Sequence, residues 1–157
     1  MRSINDSRNN RRPSKSPKPK QKRRPRFVRD IMNTRIHFVR VEQTALAAAE
    51  MMANENIGAV IVRDANSQVV GIFTERDLLK RVTARKLDAA KVEVGSVMTS
   101  AIITVQPTHE LADLAQVMVD GNFRHLPVFE DNELSGMISI RDLLVYLARG
   151  YGEELAA

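Results

Sequence analysis

The chain has 157 residues, with 24 Lys or Arg against 19 Asp or Glu and no cysteine. This length is enough for one domain of ordinary size, or for two half-size units that share a core. The absence of cysteine excludes disulfides, thiolate zinc sites and a cysteine nucleophile. It also suits a cytoplasmic protein, which is the location that we expect.

Residues 1–26 form a strongly basic segment with few apolar side chains. They hold eleven Lys or Arg against one acid, so residues 27–157 carry a net charge of −5 although the whole chain is at +5. Four prolines interrupt any helix, and no apolar core of a secretory signal is present. No later apolar run approaches the roughly 20 residues of a membrane span. We therefore predict a disordered, solvated tail.

The basic tail could also contact nucleic acid. Its cations could neutralise the phosphates of RNA or DNA without reading sequence, although no aromatic residue is there to stack on bases. A solubilising arm is an equally good interpretation. The candidate nucleic-acid residues are Lys18, Lys20, Lys22, Arg23, Arg24 and Arg26.

From residue 28 onward, the sequence consists of two similar copies of one segment. A shift of 66 residues superimposes Met32 on Met98, Val39 on Val105, and Val62 on Val128. A shift of 65 residues superimposes Gly71 on Gly136, Arg76 on Arg141, and Asp77 on Asp142. The slip of one residue falls among turn residues, which tolerate a change of length. Two copies are too few for a solenoid, so we expect them to pack on each other as a pseudo-symmetric pair.

Each copy predicts the elements β-α-β-β-α in the same order. The first helices begin at Thr44 and at Pro107–Thr108, with Glu110 in the first turn of the second one. The last helices begin at Thr74 and Ser139. The predicted strands are 36–41, 59–62 and 69–73, then 102–105, 126–129 and 136–138. A sheet with both helices on one face leaves the other face bare, so we expect the two copies to cover each other.

Several spaced motifs of the two copies resemble those of a known family. They are VRDIM at 28–32, IGAVIV at 57–62, GIFTERD at 71–77, VMT at 97–99, FRHLPV at 123–128 and GMISIRD at 136–142. Together they resemble a tandem pair of cystathionine-β-synthase (CBS) domains, the Bateman module, as found in small stand-alone proteins. The resemblance covers residues 28–149 and implies an α/β (α+β) fold of two repeats related by a pseudo-two-fold axis.

The resemblance gives domain boundaries and a mode of assembly. We assign residues 1–26 to the tail, 27–90 to the first repeat, 91–150 to the second repeat and 151–157 to a C-terminal tail. CBS pairs dimerise through their helices, so we predict a homodimer. The apolar residues expected to supply its surface are Leu78, Leu79, Val82, Leu143, Leu144 and Leu147.

The resemblance also implies an adenosine-containing ligand, namely AMP, ADP, ATP, S-adenosylmethionine or NAD(H), held in clefts between the repeats. The ribose-binding aspartate of the family maps onto Asp77 and Asp142, and its phosphate-side hydroxyl maps onto Thr74 and Ser139. A carboxylate can accept hydrogen bonds from both ribose hydroxyls, and a helix N-terminus favours an anion. The predicted ligand-binding residues are Gly58, Ala59, Thr74, Arg76, Asp77, Ile102, Arg124, His125, Leu126, Pro127, Ser139, Arg141 and Asp142.

Two of these pairs have a second interpretation. Thr74-x-x-Asp77 and Ser139-x-x-Asp142 each have the spacing of a helix capping box, in which the hydroxyl and the acid satisfy backbone N–H groups. Spacing alone favours the cap, because capping boxes are far commoner than nucleotide sites. The repeat context favours the ligand site. The two roles could also alternate, with the cap released when ligand enters.

The two clefts are not expected to be equal. One cleft is expected to contain Arg124 and His125 with Ser139, Arg141 and Asp142, and to bind phosphate better, because arginine supplies a fork suited to phosphate. The other is expected to contain Gly58 and Ala59 with Thr74, Arg76 and Asp77. It would take a less charged adenosyl ligand or stay empty. The structural alternatives are an exposed charge for Arg124 and a satisfied, partly buried ring for His125.

No catalytic or metal-binding arrangement stands out in the sequence. The three histidines share no ligand spacing, and no acidic cluster suggests a cation loop. We therefore predict a non-enzymatic regulatory module, with an adenine nucleotide as its ligand and an unidentified protein as its regulated partner. The alternative is a polyanion-associated protein that uses the CBS pair as a dimerisation scaffold.

Overall fold

The computed structural model describes residues 25–155, which fold into two helix-covered β units. The first sheet has the order β1 (Phe38–Arg40), β2 (Ala59–Arg63) and β3 (Val69–Thr74), with β1 parallel and β3 antiparallel to β2. The second sheet is the antiparallel hairpin of β4 (His125–Glu130) and β5 (Glu133–Ser139). Of the predicted strand 102–105, Val105 alone pairs, in a parallel bridge to Val128.

Five α-helices and one short 3-10 helix (Val28–Asp30) accompany these sheets within the described residues. The α-helices are α1 (Ala45–Glu55), α2 (Glu75–Asp77, continuing as a π-helix over Leu78–Thr83), α3 (Val94–Val97), α4 (Leu111–Asp120) and α5 (Ile140–Leu155). As predicted, Thr44 caps α1, with its Oγ1 accepting from the N–H of Ala47 at 3.2 Å. The predicted start of α4 at Pro107–Thr108 is too early. Glu110 is the N-cap, because the preceding residues close a turn in which the N–H of His109 donates to the Gln106 carbonyl.

The central strand of the first sheet is buried on both faces. Along β2, Val60 and Val62 pack into a core with α1 and α2, while Ala59 and Ile61 belong to another apolar cluster. That second cluster includes Leu134 and Met137 of the second repeat. The period of two along a strand explains the split, because alternate side chains point to opposite faces. The bare face of the first sheet is thus covered by the other repeat, as the sequence predicted.

The first segment of each repeat packs on the other repeat, so the two segments are exchanged. Residues 27–33 pack on the second repeat, where the N–H of Val28 donates to the His109 carbonyl at 2.9 Å and Asn33 pairs with Met137. Residues 93–99 pack on the first repeat, where the N–H of Val94 donates to the Gln43 carbonyl at 2.8 Å. These bonds are equivalent under the shift of 66 residues. Each core is therefore completed by the first segment of the other repeat.

Two equivalent glycines make this exchange possible. A Cβ added to Gly71 would overlap Sδ of Met98, and one added to Gly136 would lie 2.8 Å from Sδ of Met32. Both methionines belong to the exchanged segments. Glycine at these strand positions lets the crossing segment lie directly against the sheet.

The apolar surface expected for a dimer is only partly exposed. Val82 and Leu143 are 1% and 5% exposed and belong to the two cores, so assigning them to a surface was wrong. Their positions on the inner side of α2 and α5 place them against the sheets. Leu79, Leu144 and Leu147 do lie on the surface, with 61%, 59% and 46% of each side chain exposed.

Candidate ligand-binding site

Two clefts lie between the repeats, and we name each after the aspartate that it contains. Cleft 1 contains Thr74 and Asp77 and has a volume of about 280 Å³. Cleft 2 contains Ser139 and Asp142 and has a volume of about 700 Å³. Small-molecule sites span roughly 300 to 1,000 Å³. Cleft 2 falls well within this range, whereas cleft 1 lies at its lower edge.

Each residue that the sequence assigned to ligand binding lines at least one cleft. Those in cleft 1 are Gly58, Thr74, Arg76, Asp77, Ile102, Arg124, His125, Leu126 and Pro127. Those in cleft 2 are Gly58, Ala59, Arg124, His125, Ser139, Arg141 and Asp142. Ile36, the equivalent of Ile102 in the other repeat, lines cleft 2.

The two clefts share a wall formed by Gly58, Glu75, Arg124 and His125. The expectation that only one cleft contains Arg124 and His125 is therefore wrong, and Ala59 lines cleft 2 rather than cleft 1. The reason is that the residues before β2 and β4 meet between the clefts. A Cβ added to Gly58 would lie 2.8 Å from Cε1 of His125 and 3.2 Å from Oε2 of Glu75. A side chain at position 58 would displace the imidazole.

Both predicted capping boxes form. Asp77 accepts at Oδ2 from the N–H of Thr74 at 3.0 Å and from its hydroxyl at 2.7 Å. Asp142 accepts at Oδ2 from the N–H of Ser139 at 2.7 Å and from its hydroxyl at 2.6 Å. In each pair the cap uses one carboxylate oxygen. The other oxygen, Oδ1, is the acceptor through which each aspartate can bind a further donor.

The two aspartates differ at this second oxygen. Oδ1 of Asp77 accepts from the hydroxyl of Thr99 at 3.1 Å and lies 3.5 Å from Nε of Arg81. Among residues 25–149, Oδ1 of Asp142 has no such partner, since Asn33 and Tyr146 occupy the equivalent positions. Asp77 is 8% exposed and satisfied by its own chain. Asp142 retains an acceptor that no side chain of residues 25–149 occupies.

An arginine clamp also distinguishes the clefts. Nη1 of Arg76 donates to the backbone carbonyl of Asn122 at 2.6 Å, and Nη2 donates to its Oδ1 at 3.2 Å. This contact joins the start of α2 to the end of α4 beside cleft 1. The equivalent residues, Arg141 and Asn56, both line cleft 2, but no hydrogen bond joins them there.

Sequence reasoning missed two cationic groups in cleft 1, Lys80 and Arg81. Besides its contact with Asp77, Arg81 donates from Nη1 to the backbone carbonyls of Val97 and Met98 in the exchanged segment. The available signal was its spacing, because residues four apart on a helix face each other and often form ion pairs.

Sequence reasoning also missed Arg35 and His37, which line cleft 2 on either side of Ile36. Nη2 of Arg35 donates to Oε2 of Glu55 at 2.9 Å, and Nε2 of His37 lies 3.7 Å from the same oxygen. The sequence signal was their position beside the equivalent of Ile102. Their partners in the other repeat, Ala101 and Ile103, carry no charge.

His125 is a titratable group of the shared wall, and its environment shifts its pKa. Burial lowers the pKa of its imidazole below the ordinary value of 6.5, and repulsion from Arg124 adds to this effect. The carboxylates of Glu75 and Asp142 oppose it. The lowered pKa keeps the ring neutral near pH 7, so one ring nitrogen donates a hydrogen bond and the other accepts one.

The basic tail adds nothing to these clefts within the described part of the chain. Lys18, Lys20, Lys22, Arg23 and Arg24 lie outside the described residues. Arg26 lies inside, where its Nη2 donates to Oε1 of Glu110 at 2.6 Å, and this carboxylate raises the pKa of the guanidinium. Arg26 is thus paired with the second repeat, while 67% of its side chain remains exposed.

Two further properties concern residues 25–155. Over this range, His, Asp and Glu form no group of three that could hold a metal ion. None of its helices is both long and apolar enough to cross a membrane.

Comparisons with known proteins agree with this fold and with the repeated motifs. The family model for the CBS domain matches residues 28–84 and 94–149. The chain is 37% identical over 117 residues to an uncharacterized 17.7 kDa protein of Acidianus ambivalens, covering 74% of this chain and 70% of that protein. It is 33% identical over 118 residues to the CBS domain-containing protein YhcV of Bacillus subtilis, covering 75% and 83%.

A solved structure of a CBS-domain protein shows the same fold. The crystal structure of a CBS-domain containing protein from Agrobacterium tumefaciens matches with a TM-score of 0.74 and 34% identity, covering 78% of this chain and 93% of that one. The chain is thus a tandem pair of CBS domains and belongs to the CBS domain family.

Proposed function

We propose that this protein is a regulatory module that binds an adenosine-containing ligand, such as AMP, in cleft 2. The observation that supports the proposal best is the state of Asp142. Its Oδ2 is held by the cap at Ser139, while its Oδ1 has no partner among the described residues and the side chain lines a cleft of about 700 Å³. A carboxylate oxygen with a fixed position and free lone pairs suits the hydroxyls of a ribose.

The other residues of cleft 2 suit the remaining parts of a nucleotide. Ile36 and Ile57 offer apolar surface for an adenine ring, and Arg124 and Arg141 offer cations for a phosphate. Arginine binds phosphate through two parallel N–H donors, which makes the contact directional as well as strong. In this proposal the Ser139 hydroxyl turns from Asp142 to the phosphate when the ligand enters, while the N–H of Ser139 still holds Oδ2 of Asp142.

Ligand binding would reach a partner through the packing of the repeats. Cleft 2 is built from both repeats, and its wall of Gly58, Glu75, Arg124 and His125 also lines cleft 1. A ligand that draws Arg124 and His125 toward its phosphate therefore changes both clefts at once. A partner protein that binds one arrangement better than the other would read the nucleotide state.

We further propose that the protein is a homodimer joined through α2 and α5. Leu79 and Leu144 lie at equivalent positions of the two repeats, and more than half of each side chain is exposed. Exposed leucines on equivalent helices would form a self-complementary surface about a two-fold axis.

Isothermal titration calorimetry with AMP and adenosine tests the binding proposal. Replacing Asp142 with alanine should weaken the binding of both ligands by about 1.5 to 3 kcal/mol, or roughly 10- to 150-fold in affinity, because the ribose loses a charged acceptor. Asp77→Ala, compared after circular dichroism shows both variants folded, is the matched control and should weaken them less. Arg124→Ala should reduce the preference for AMP over adenosine.

Three results would contradict the binding proposal. One is an equal loss for Asp142→Ala and Asp77→Ala, and another is an unchanged AMP preference in Arg124→Ala. The third is the absence of measurable heat with every adenine nucleotide, which would remove the ligand-sensing function altogether.

The basic tail supports a second function, association with a polyanion such as RNA. Its eleven Lys or Arg within 26 residues are the supporting observation. The test is deletion of residues 1–24, because the Arg26 carbonyl accepts from the N–H of Leu111 at 2.9 Å and must be kept. Filter binding to a single-stranded RNA should fall steeply with salt in the full chain and vanish in the deletion variant. RNA binding that survives the deletion would contradict this role.

A further inference from the structure

We infer that cleft 1 is closed by side chains of its own chain, with Arg81 and Arg76 as the residues that close it, so that each chain binds one nucleotide. This inference rests on the proposed function of cleft 2 and adds which cleft is available and why. Three comparisons between the two clefts support it.

The first comparison concerns the ribose acceptor. Oδ1 of Asp77 accepts from Thr99 at 3.1 Å and lies 3.5 Å from Nε of Arg81, whereas Oδ1 of Asp142 has no partner in the described residues. A ribose entering cleft 1 would have to displace both groups. It would then exchange an existing ion pair for neutral hydroxyl donors, which gains little.

The second comparison concerns the opening between the repeats. Arg76 holds Asn122 through two hydrogen bonds across cleft 1, while Arg141 and Asn56 make no bond beside cleft 2. The bond to the carbonyl of Asn122 is charge-assisted and short, at 2.6 Å. It ties the first turn of α2 to the end of α4, so the cleft widens only when this contact breaks.

The third comparison concerns size and charge. Cleft 1 has about 280 Å³ against about 700 Å³ for cleft 2. Cleft 1 is lined by more cations, but Arg76 donates to Asn122 and Arg81 to the carbonyls of Val97 and Met98. These guanidinium groups are committed to protein acceptors, so the larger number of cations does not make cleft 1 the better phosphate site.

The roles of the two arginines follow from this arrangement. Arg81 occupies the acceptor that a ribose needs, and Arg76 keeps the two repeats together. Neither residue would contact a nucleotide in cleft 2. Their loss should therefore add a binding site without removing the existing one.

Calorimetric stoichiometry with adenosine and AMP on the full chain tests this inference. The wild-type protein should bind one ligand per chain. Arg81→Met, which keeps the aliphatic stem and removes the charge, should bind two, and adding Asp77→Asn should return the number to one. Arg76→Met should likewise open cleft 1 and bind a second adenosine. Arg85→Met, an exposed arginine that lines neither cleft, is the matched control and should bind one.

The outcomes separate this inference from the proposed function. Two ligands per wild-type chain, or one per chain in folded Arg81→Met and Arg76→Met alike, would overturn the closure of cleft 1 while leaving cleft 2 as the binding site. Binding by Arg81→Met that Asp77→Asn abolishes, with none in the wild type, would overturn cleft 2 and leave the closure standing. If neither protein binds any adenine nucleotide, both are wrong. Should Arg81→Met not fold, Arg76→Met carries the test.

Discussion

Replacing Val28 with alanine should destabilise the second repeat, although Val28 belongs to the first repeat by its position in the chain. Its side chain is 0% exposed and belongs to the core that contains Leu114 and Leu126. The matched variant is Val94→Ala. Val94 is the equivalent residue, is also 0% exposed, and belongs to the core of the first repeat.

The expected cost follows from the atoms removed. Valine to alanine deletes two methyl groups, worth about 0.8 kcal/mol each in transfer free energy. The residual cavity adds about 1 kcal/mol if some 40 Å³ stays empty, at about 24 cal/mol per Å³. Each variant should therefore lower the free energy of unfolding by about 2 to 3 kcal/mol in urea, with an unchanged m-value.

Native-state hydrogen exchange locates the loss. Partial openings report the stability of the unit to which each amide belongs. Val28→Ala should speed exchange most in α4 and the β4–β5 hairpin, and Val94→Ala should speed it most in α1 and in β1 to β3. If Val28→Ala instead loosens α1 and the first sheet, the exchange of segments is refuted.

The remaining predictions concern the shared wall and the surface. Gly58→Ala should lower the free energy of unfolding by about 1 to 3 kcal/mol and weaken AMP binding, because the new methyl group would overlap the imidazole of His125. An unchanged urea unfolding curve together with an unchanged AMP affinity would contradict this prediction. Burial lowers the pKa of His125 in the folded state, so its contribution to stability is complete above about pH 6.5 and is lost as the pH falls from 6.5 toward the lower folded pKa. In His125→Gln, the free energy of unfolding should therefore fall less steeply between pH 7 and pH 5. An identical slope in the variant and the wild type would count against this assignment. In light scattering, the wild-type protein should give the mass of a dimer and Leu144→Glu the mass of a monomer. Leu87 is also exposed, and Leu87→Glu is the control that should stay dimeric. A monomeric wild-type protein would contradict the proposed interface.

Much of this fold could be predicted from the sequence. The short apolar run at 59–62 indicated a strand, and the pairs at Thr74 and Ser139 marked two helix starts through their capping boxes. These signals are local, because they depend on residues within a few positions of each other. For the same reason, the predicted ligand residues proved to line the clefts, since each belongs to a short repeated motif.

The parts that were missed depend on which copy a segment contacts. Val28 and Val94 stand at equivalent positions of the two copies, so the internal repeat cannot indicate that each packs on the other copy. The sharing of Arg124 and His125 by both clefts arises in the same way, because it depends on where Gly58 lies across the pseudo-two-fold axis. The closure of cleft 1 depends on a departure from the repeat, namely arginine at position 81 where the second copy has Tyr146.

A crystal structure of the full chain grown with AMP tests the central claim most directly. The account predicts one nucleotide per chain, in cleft 2, with its ribose hydroxyls on Oδ1 of Asp142 and its phosphate near Arg124 or Arg141, while Arg81 and Thr99 still occupy Asp77. A nucleotide bound in cleft 1, or crystals at saturating AMP with neither cleft filled, would contradict it.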